Sequence, residues 1–549
     1  MDKLRPATYE EFLRKFRLDT PDTYNFVFDF LDKADPEALA MVHVTPDDQR
    51  REFTFGWFQE QSARLANALA AQGIGKGDRI MLILYRRVEF WVCMLALHRI
   101  GALPIPSPSL LTRHDIEFRV NRARIKGIIA EHTVTDRVRE AKPQCPGLAL
   151  MVEVGAEGAD EGWLAYEPLV ASGAPSFPRP ADAPGGRDPL LIFFSSGTTG
   201  MPKMVLHNHH YPLGHLTTGV YWHDLEPGDL HLTVSDSGWG KCVWGKFYGQ
   251  WIAGATVFVW DFRGKFDPDQ MLKIIAEHKV TTFCAPPTVY RFLVRQDLKK
   301  YDLSALRHCT TAGELLNESV FRDWLTATGL PIYEGYGQTE TCLQIATFKW
   351  MEPKPGSIGK PSPGWELALI DEEGKFCEPG VEGEICIKLR EGGVPGLFDG
   401  YLDEPERTAK VVIDGYYHTG DKAWMDEDGY YWFMGRTDDL IKSSGYRIGP
   451  FEVESVLVAH DAVIEAAVTG VPDPVRGQAV KATVVLAPGY EPSDELTRQL
   501  QNWVKAETAP YKYPRVIEYV GELPKTISGK IKRAEIRQHD LEKYGAREV

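Results

Sequence analysis

The segment LLIFFSSGTTGMPK, residues 190–203, places five apolar residues directly before a loop of glycines and hydroxyls that ends in Lys203. An apolar run closed by such a cluster is typical of a buried strand that carries a loop at its end. Glycines let backbone N–H groups approach a ligand, hydroxyls add donors and the lysine adds positive charge, so the loop predicts a cradle for phosphate oxygens. It is not a Walker A loop, because no Gly-Lys pair in the chain is followed directly by Ser or Thr. Taken alone, the segment would also suit an ordinary surface loop.

On both sides of this loop, apolar strand patterns alternate with helical ones. Residues 80–84 have the pattern of a strand, residues 89–99 that of a helix and residues 127–130 that of another strand. This alternation predicts an α/β fold in which helical crossovers join parallel strands. Ligands of such sheets bind where the strands end, so we expect one crevice formed by the phosphate loop and by residues 285–288, 310–314 and 333–340.

The pattern of predicted helices and strands changes twice further along the chain. From about residue 360, short alternating segments separated by turns predict a small β-rich subdomain. Beyond residues 436–439, helices and strands of ordinary length predict a compact α+β domain of about 110 residues. The predicted fold class is therefore α/β, with two α/β sheets and a small β-rich subdomain in a large N-terminal domain, followed by a small α+β C-terminal domain.

The composition excludes several classes of function. A charged fraction of 25% and a hydrophobic fraction of 43% are those of a soluble globular protein. The net charge of −15 argues against nucleic acid or an anionic membrane as the main partner, so a phosphate ligand must be held by a local basic pocket. No apolar stretch approaches the ~18 residues of a spanning helix, and we expect no membrane span.

The cysteines and the N-terminus indicate the cellular compartment of the protein. Eight of them are scattered along the chain without a Cys-x-x-Cys pair, and the N-terminus lacks the apolar core of a secretory signal. Both features predict a cytoplasmic enzyme with reduced thiols. The sequence does not determine the oligomeric state and leaves a homo-oligomer open.

The motif YEGYGQTE, residues 333–340, combines glycines, hydroxyls and a carboxylate behind a short apolar stretch. It suits a site in which Glu340 holds Mg²⁺ and Thr339 a phosphate oxygen, because Mg²⁺ is usually bound by one or two carboxylates together with substrate phosphates. A helix N-terminus, capped by Thr339 with Glu340 in its first turn, explains the same residues equally well.

The motif YHTGD, residues 417–421, ends in a carboxylate suited to accept the two hydroxyls of a ribose, although a plain Asp turn is the alternative. The chain that follows is locally basic, with Arg436, Arg476, Arg515 and Lys530. This asymmetry in an acidic protein predicts that an anionic ligand meets the C-terminal domain.

Five motifs occur in order along nearly the whole chain, at residues 195–203, 336–340, 417–421, 435–447 and 524–530. Together they closely resemble those of the adenylate-forming superfamily, which comprises acyl-CoA synthetases, luciferases and peptide-synthetase adenylation domains. Three further segments, residues 443–450, 472–477 and 509–515, are most similar to the medium-chain acyl-CoA synthetases. Many members have glycine after the loop lysine; Met204 stands there in this chain, as it does in the medium-chain branch.

The resemblance implies an N-terminal adenylation domain, residues 1–435, and a mobile C-terminal lid, residues 436–549, with its hinge at Asp438. It also implies that ATP converts a carboxylic acid to an acyl-AMP, releasing pyrophosphate, and that the thiol of CoA then displaces AMP. A carboxylate that approaches an anionic α-phosphate requires preorganised positive charge. The resemblance assigns this charge to Lys530, with Mg²⁺ on Glu340 and the hydroxyl of Thr339 near the α-phosphate.

The remaining site residues implied by the resemblance fall into four groups. The β- and γ-phosphates would be held by Ser195, Ser196, Gly197, Thr198, Thr199, Gly200 and Lys203. The nucleotide base and its surroundings would involve Gly313, Glu314, Glu334, Gly335, Tyr336, Gly337 and Gln338. Asp421 would bind the ribose with the help of Arg436. After rotation of the lid, CoA would meet Ser444, Gly445, Tyr446, Arg447, Arg476 and Arg515.

The acyl pocket is expected around Trp239, Gly313 and Gly337. In acetyl-CoA synthetases a tryptophan directly before the Gln-Thr-Glu triplet closes this pocket, and Gly337 stands at that position here. The resemblance therefore favours a medium-chain, branched or aromatic acid over acetate.

Two other functions stay open. One is an adenylating enzyme that loads a carrier protein. Arg476 and Arg515 favour CoA over a carrier protein, because they suit the phosphates that only CoA carries. The other is a catalytically silent protein that binds a nucleotide or acyl-CoA, but a degraded site would be expected to have lost Lys530, Glu340 or Asp421.

Overall fold

A computed structural model of the chain describes residues 3–156, 158, 161–197, 200–437, 439–444, 446–525 and 531–544. Within these ranges, residues 196, 197, 200, 201 and 447 are described by their backbone alone. The helices within these residues, named α1–α17 in chain order, are Tyr9–Lys15, Phe26–Asp29, Phe55–Ala71, Val88–Ile100, Arg113–Arg122, Thr135–Ala141, Tyr166–Ser172, Tyr211–Gly214, Gly240–Lys246, Tyr248–Ile252, Pro268–Glu277, Pro287–Leu293, Glu318–Thr328, Pro405–Ala409, Pro450–Val458, Asp494–Glu507 and Arg533–Tyr544. The strands, named β1–β27 in the same way, are Leu39–Val44, Arg50–Thr54, Arg79–Ile83, Leu103–Pro106, Gly127–Glu131, Leu150–Val154, Leu164–Ala165, Pro189–Gly197, Gly200–Asn208, Leu230–Thr233, Thr256–Trp260, Thr282–Ala285, His308–Ala312, Ile332–Tyr336, Ile345–Ala346, Lys360–Pro361, Leu367–Ile370, Gly383–Lys388, Gly400–Tyr401, Val412–Ile413, Tyr416–Met425, Tyr431–Arg436, Ile441–Ser443, Tyr446–Ile448, Val463–Asp473, Gly477–Leu486 and Val516–Tyr519.

Two large sheets carry the N-terminal part of the chain. The first has nine strands in the order β16-β15-β14-β13-β12-β10-β11-β1-β2, and its run from β14 to β1 is parallel. The second has five parallel strands in the order β4-β3-β5-β6-β7. Strands that are covered on both faces are apolar throughout, as the four buried residues that follow Arg79 in β3 show. These are the two α/β sheets predicted from the sequence.

The apolar run at residues 190–194 is buried and lies in strand β8, as predicted. Leu191 and Phe193 belong to one hydrophobic cluster, whereas Ile192 and Phe194 belong to another. Because successive side chains of a strand point to opposite faces, a strand buried on both faces must be apolar at every position. Strand β8 pairs with β9 and β9 with β19, which gives a separate three-stranded antiparallel sheet.

Two smaller sheets follow. Strands β17, β18, β20, β21 and β22 form an antiparallel sheet that corresponds to the predicted β-rich subdomain. Strands β23–β27 form the last sheet, and the buried residues from Ile441 to Val504 make up a core of their own. The predicted fold class is confirmed, whereas the domain boundary between residues 435 and 436 stays a prediction.

Within the described residues, no helix combines the length and the apolar character needed to cross a membrane.

Candidate active site

The segment predicted to bind phosphate belongs to the hairpin of β8 and β9, in which Ser195 pairs with Lys203. Part of the loop lies outside the described residues, namely Thr198 and Thr199, and only the backbone is described for Ser196, Gly197 and Gly200. The hydroxyl oxygen of Ser195 is buried and has no hydrogen-bond partner in the described part of the chain. Because a buried hydroxyl without a partner costs free energy, a ligand oxygen at this hairpin would satisfy it.

Lys203 and Glu340 are joined through Tyr401. The Nζ of Lys203 donates to the hydroxyl of Tyr401 over 3.4 Å, and that hydroxyl donates to Oε1 of Glu340 over 2.9 Å. Tyr401 reaches this place because β19 pairs with β9, which sets Tyr401 opposite Val205. Burial, followed by the Glu340 carboxylate, raises the pKa of Tyr401 above its usual range, so the phenol remains a donor. Lys203, predicted to hold phosphate, and Glu340, predicted to hold Mg²⁺, are therefore bridged by the hydroxyl of Tyr401.

The chain turns at Thr339 and Glu340 after strand β14 has ended at Tyr336. The alternative of a helix N-terminus at this point is wrong. The backbone oxygen of Thr339 accepts a hydrogen bond from Nε2 of His207 over 2.8 Å. This bond ties the turn to strand β9, next to the phosphate hairpin.

Asp421 is the centre of a second buried network. Its Oδ2 accepts hydrogen bonds from the hydroxyl of Tyr336 over 2.5 Å and from Nε2 of Gln338 over 2.6 Å. Its Oδ1 lies 3.6 Å from a guanidinium nitrogen of Arg436. Gln338 is itself held, because its Oε1 accepts from the hydroxyl of Tyr417 over 3.0 Å. The structure thus brings Tyr336, Gln338, Asp421 and Arg436 together, and it shows Tyr336 and Gln338 orienting the carboxylate.

The base-binding residues predicted at the ends of β13 and β14 lie side by side, because these strands are parallel neighbours. Gly313 has a φ of +100° and an open space where a Cβ would stand. Oε2 of Glu314 accepts a hydrogen bond from the hydroxyl of Thr288 over 2.7 Å. Glu334 accepts from the backbone N–H of Leu316 over 2.9 Å, and burial raises its pKa to about 8. The carboxyl group of Glu334 therefore holds the Gly313–Leu316 turn in place.

Close packing surrounds Gly337, which was predicted at the acyl pocket, and Gly335, which was predicted near the nucleotide base. A Cβ on Gly337 would lie 2.3 Å from the ring of Trp244 and 2.6 Å from the carbonyl oxygen of Cys342. A Cβ on Gly335 would lie 2.5 Å from the ring of Trp222. Trp239 is half-buried and immediately precedes helix α9, which carries Trp244. The absence of a side chain at Gly337 therefore makes room for the indole of Trp244.

The residues predicted to meet CoA form a separate group in the C-terminal part. The backbone N–H of Ser444, a residue with a φ of 52°, donates to the carbonyl oxygen of Arg476 over 2.9 Å. Tyr446 is 50% exposed, and its ring stacks on that of Tyr511 at 4.0 Å and 13°. The guanidinium group of Arg515 donates to the hydroxyl of Tyr513 over 2.6 Å. Gly445, Lys530 and the predicted hinge residue Asp438 lie outside the described residues, as does the side chain of Arg447.

Sequence reasoning missed Tyr401 and Trp244, and it quoted Tyr417 in the motif of residues 417–421 without giving it a role. Tyr401 reaches the crevice through strand pairing over a large sequence separation, which leaves no local signal. Trp244 had one local signal, since it follows Trp239, the residue directly before helix α9, by five residues.

Two families of known sequences match the chain. Residues 30–402 match the family described as AMP-binding enzyme, and residues 452–530 match the AMP-binding enzyme C-terminal domain. The human mitochondrial acyl-coenzyme A synthetase ACSM3 is 40% identical over 546 residues, which cover 97% of this chain and 92% of the human protein. The mitochondrial acyl-coenzyme A synthetase ACSM4 of Rattus norvegicus is 41% identical over 549 residues, 97% of this chain and 94% of the rat protein.

Solved structures agree with this result. The anthranilate CoA ligase AuaEII in complex with anthranoyl-AMP has a TM-score of 0.88 and 31% identity, over 96% of this chain and 99% of the ligase. A benzoate CoA ligase from Burkholderia xenovorans has a TM-score of 0.81 and 27% identity, over 94% of this chain and 100% of the ligase. The chain therefore belongs to the AMP-binding, adenylate-forming enzymes, and within them to the medium-chain acyl-CoA synthetases.

Proposed function

We propose that the protein is an AMP-forming acyl-CoA synthetase, which converts ATP and a carboxylic acid to an acyl-AMP and pyrophosphate and then passes the acyl group to CoA, releasing AMP. The observation that carries this proposal is the proximity of two hydrogen-bond networks, Lys203–Tyr401–Glu340 and Tyr336–Asp421–Gln338. Tyr417 links them, because its hydroxyl donates to Gln338 and its ring packs, as that of Tyr401 does, against Phe398. The relatives named above are acyl-coenzyme A synthetases and CoA ligases, and one of those ligases holds an acyl-AMP. Sequence, fold and crevice thus support the same reaction.

In the first step, the hairpin between β8 and β9 would hold the β- and γ-phosphates, with Lys203 as its cation. Glu340 is 8% exposed, and one of its oxygens is oriented by Tyr401. A buried, oriented carboxylate fits Mg²⁺, which prefers hard oxygen donors and shares them with substrate phosphates. When bound, Mg²⁺ neutralises part of the phosphate charge. Tyr401 would keep Lys203 and Glu340 at a fixed separation while the phosphates bind.

Asp421 would bind the ribose with the help of Arg436, a guanidinium nitrogen of which lies 3.6 Å from Oδ1, while Tyr336 and Gln338 hold Oδ2. Both donors sit on the strand and turn that carry Thr339 and Glu340. The ribose and the α-phosphate would therefore be positioned by one continuous piece of chain, residues 336–340.

Lys530 would stabilise the negative charge that builds up as the acid attacks the α-phosphate. For the second step, residues 436–549 would rotate about Asp438, which removes Lys530 and brings Ser444, Tyr446, Arg476 and Arg515 to CoA. The exposed ring of Tyr446 and the positive charges of Arg476 and Arg515 support this role, because CoA presents an adenine face and several phosphates.

The acid is proposed to be compact, either short and branched or aromatic. Trp244 is 8% exposed and fills the space opposite Gly337, so a long straight chain would meet the indole. The two ligases compared above are named for anthranilate and benzoate, which are flat aromatic acids. Among medium-chain, branched and aromatic acids, the packing at Gly337 thus favours the compact ones.

The test is the release of pyrophosphate and AMP from Mg-ATP with a panel of acids from acetate to decanoate that includes 2-methylbutyrate and benzoate, with and without CoA. We expect CoA-dependent turnover that peaks at a compact acid. Pyrophosphate release that stops after one equivalent in the presence of CoA would instead indicate a carrier-protein acceptor. No release with any acid would indicate a silent binding protein.

A cytoplasmic location is also a proposal. All eight cysteines are unpaired, which supports a reducing compartment. The relatives named above are mitochondrial proteins, so fractionation of the source cells is the direct test.

A further inference from the structure

Three side chains with different donor atoms converge on one face of the sheet that carries Asp421. Nδ1 of His418 lies 3.0 Å from Oε2 of Glu384 and 3.4 Å from Sγ of Cys386. Cys386 and His418 are direct cross-strand neighbours on β18 and β21, and Glu384 precedes Cys386 by two residues on β18. The oxygen, nitrogen and sulfur atoms all lie within 4.8 Å of one another.

One nitrogen, Nδ1 of His418, makes both short contacts in this group, and it can make only one of them as a two-centre hydrogen bond at a time. If Nδ1 carries a proton, it donates to the carboxylate of Glu384 and has no lone pair left for the thiol of Cys386. If Nδ1 accepts from the thiol, it faces the carboxylate as a second acceptor. A cation would instead be bound by the oxygen, nitrogen and sulfur atoms together.

We propose that Glu384, Cys386 and His418 form a zinc-binding site, with water as the fourth ligand. Tetrahedral zinc with bonds of about 2.0–2.3 Å to nitrogen, oxygen and sulfur sets neighbouring ligand atoms about 3.3–3.6 Å apart. Nδ1 of His418 lies 3.4 Å from Sγ of Cys386 and 3.0 Å from Oε2 of Glu384, so small side-chain shifts would suffice for zinc to bind. Thiolate and imidazole donors select zinc over Mg²⁺ and Ca²⁺. This site is therefore chemically distinct from the Mg²⁺ site proposed at Glu340.

The surroundings of the three residues suit an ion that enters from solvent. The side chains of His418 and Glu384 are 20% and 23% exposed, whereas Cys386 is fully buried. Burial, followed by Glu384, raises the pKa of the Cys386 thiol, so the metal-free protein keeps the thiol proton. The bond between zinc and Sγ forms as this proton is released to solvent.

The second oxygen of Glu384 links the site to the nucleotide crevice. Oε1 of Glu384 accepts the backbone N–H of Gly420 over 2.7 Å, and Gly420 has a φ of 74° immediately before Asp421. Zinc on Oε2 would leave this bond intact and orient the carboxylate as a fixed support for the turn. The suggested support of the nucleotide crevice rests on the proposed function, whereas the binding of zinc does not.

The test uses the full-length protein after removal of metals with a chelator and dialysis. We expect one equivalent of Zn²⁺ to bind with a dissociation constant in the micromolar range or below, in calorimetry. We also expect Co²⁺, as a spectroscopic substitute, to give the charge-transfer band of a cobalt–thiolate bond. A second carboxylate and histidine group, Glu518, His539 and Asp540, contains no thiol and cannot give this band.

Cys386→Ser should abolish the band, whereas Cys377→Ser, at the one cysteine that is not buried, should retain it. His418→Gln should weaken Zn²⁺ binding at least tenfold. If circular dichroism shows that Cys386→Ser does not fold, the Zn²⁺ affinity of His418→Gln decides the test. The absence of the band in the unmodified protein, or its survival in Cys386→Ser together with unchanged Zn²⁺ affinity in His418→Gln, would overturn the proposal.

Discussion

Removal of one hydroxyl group, in Tyr401→Phe, tests whether the bridge between Lys203 and Glu340 serves catalysis. Tyr401 is 4% exposed and its ring packs against Phe398 at 5.1 Å, so phenylalanine preserves the packing. The variant loses the 2.9 Å hydrogen bond to the carboxylate and the acceptor that Lys203 uses. A hydrogen bond to a charged group contributes about 1.5–3 kcal/mol. If the bond is needed in the transition state, kcat/KM for adenylate formation should fall about 10- to 150-fold.

The assay separates the two half-reactions. Adenylate formation is measured by ATP–pyrophosphate exchange, and thioester formation by the conversion of supplied acyl-AMP and CoA. We expect Tyr401→Phe to slow the exchange and to leave the thioester step within about threefold, because Glu340 is assigned to the phosphates of ATP.

Tyr430→Phe is the matched control, since Tyr430 is also buried and its hydroxyl donates to the backbone oxygen of Glu352 over 2.8 Å. This variant should exchange pyrophosphate at close to the original rate. Exchange by Tyr401→Phe within twofold of the unmodified enzyme would refute the bridge. An equal loss in both half-reactions would show that the hydroxyl is needed for folding instead.

Three further predictions concern specificity and stability. Trp244→Leu should raise kcat/KM for octanoate relative to 2-methylbutyrate about tenfold or more, because the indole opposite Gly337 is replaced by a smaller side chain; an unchanged acid profile would show that Trp244 does not limit the pocket. Asp540→Asn should lower the free energy of unfolding of the C-terminal part by about 1.5–3 kcal/mol in urea titrations, because Lys481, which is 1% exposed, loses the charge of its fully buried partner and keeps only its pair with Glu518; Lys375→Met, which breaks an exposed pair with Glu373, should cost less than about 1 kcal/mol, and equal effects would contradict this reasoning. The free energy of unfolding should also fall as the pH drops from 6.5 toward 4, because burial lowers the pKa to about 4 or about 3 in five histidines, His207, His209, His215, His231 and His308. The unfolded chain then binds more protons at these histidines than the folded one. Burial raises the pKa of Glu334 to about 8, that of Asp399 to about 6 and those of Glu131 and Glu454 above their usual value, and these four carboxyl groups oppose the trend without outnumbering the histidines; a flat profile would contradict it.

Local patterns were sufficient where one segment carries its own signal. The apolar run at residues 190–194 predicts a strand because every position is covered on one face or the other. Asp267 and Pro268 predict a helix start, and helix α11 begins at Pro268 with Asp267 as its N-cap. The crevice follows from β12, β13 and β14, since parallel neighbours end at one edge of a sheet.

Contacts between residues far apart in the sequence could not be predicted. Tyr401 bridges Lys203 and Glu340 only because β19 pairs with β9, and this pairing has no trace in the residues near Tyr401. The same holds at Gly337, where the missing side chain suggests an open pocket but the space is occupied by Trp244 from another element. At Thr339 the local pattern allowed a helix cap or a turn, and the bond from His207 on a distant strand accompanies the turn.

The most direct test of the proposed acyl-CoA synthetase reaction is a single-turnover quench experiment with excess enzyme, Mg-ATP and 2-methylbutyrate. The proposed reaction requires that pyrophosphate and protein-bound acyl-AMP form in equal amounts before CoA is added, and that CoA then converts the acyl-AMP to acyl-CoA and AMP. Pyrophosphate without a bound acyl-AMP, or an acyl-AMP that CoA does not consume, would contradict it.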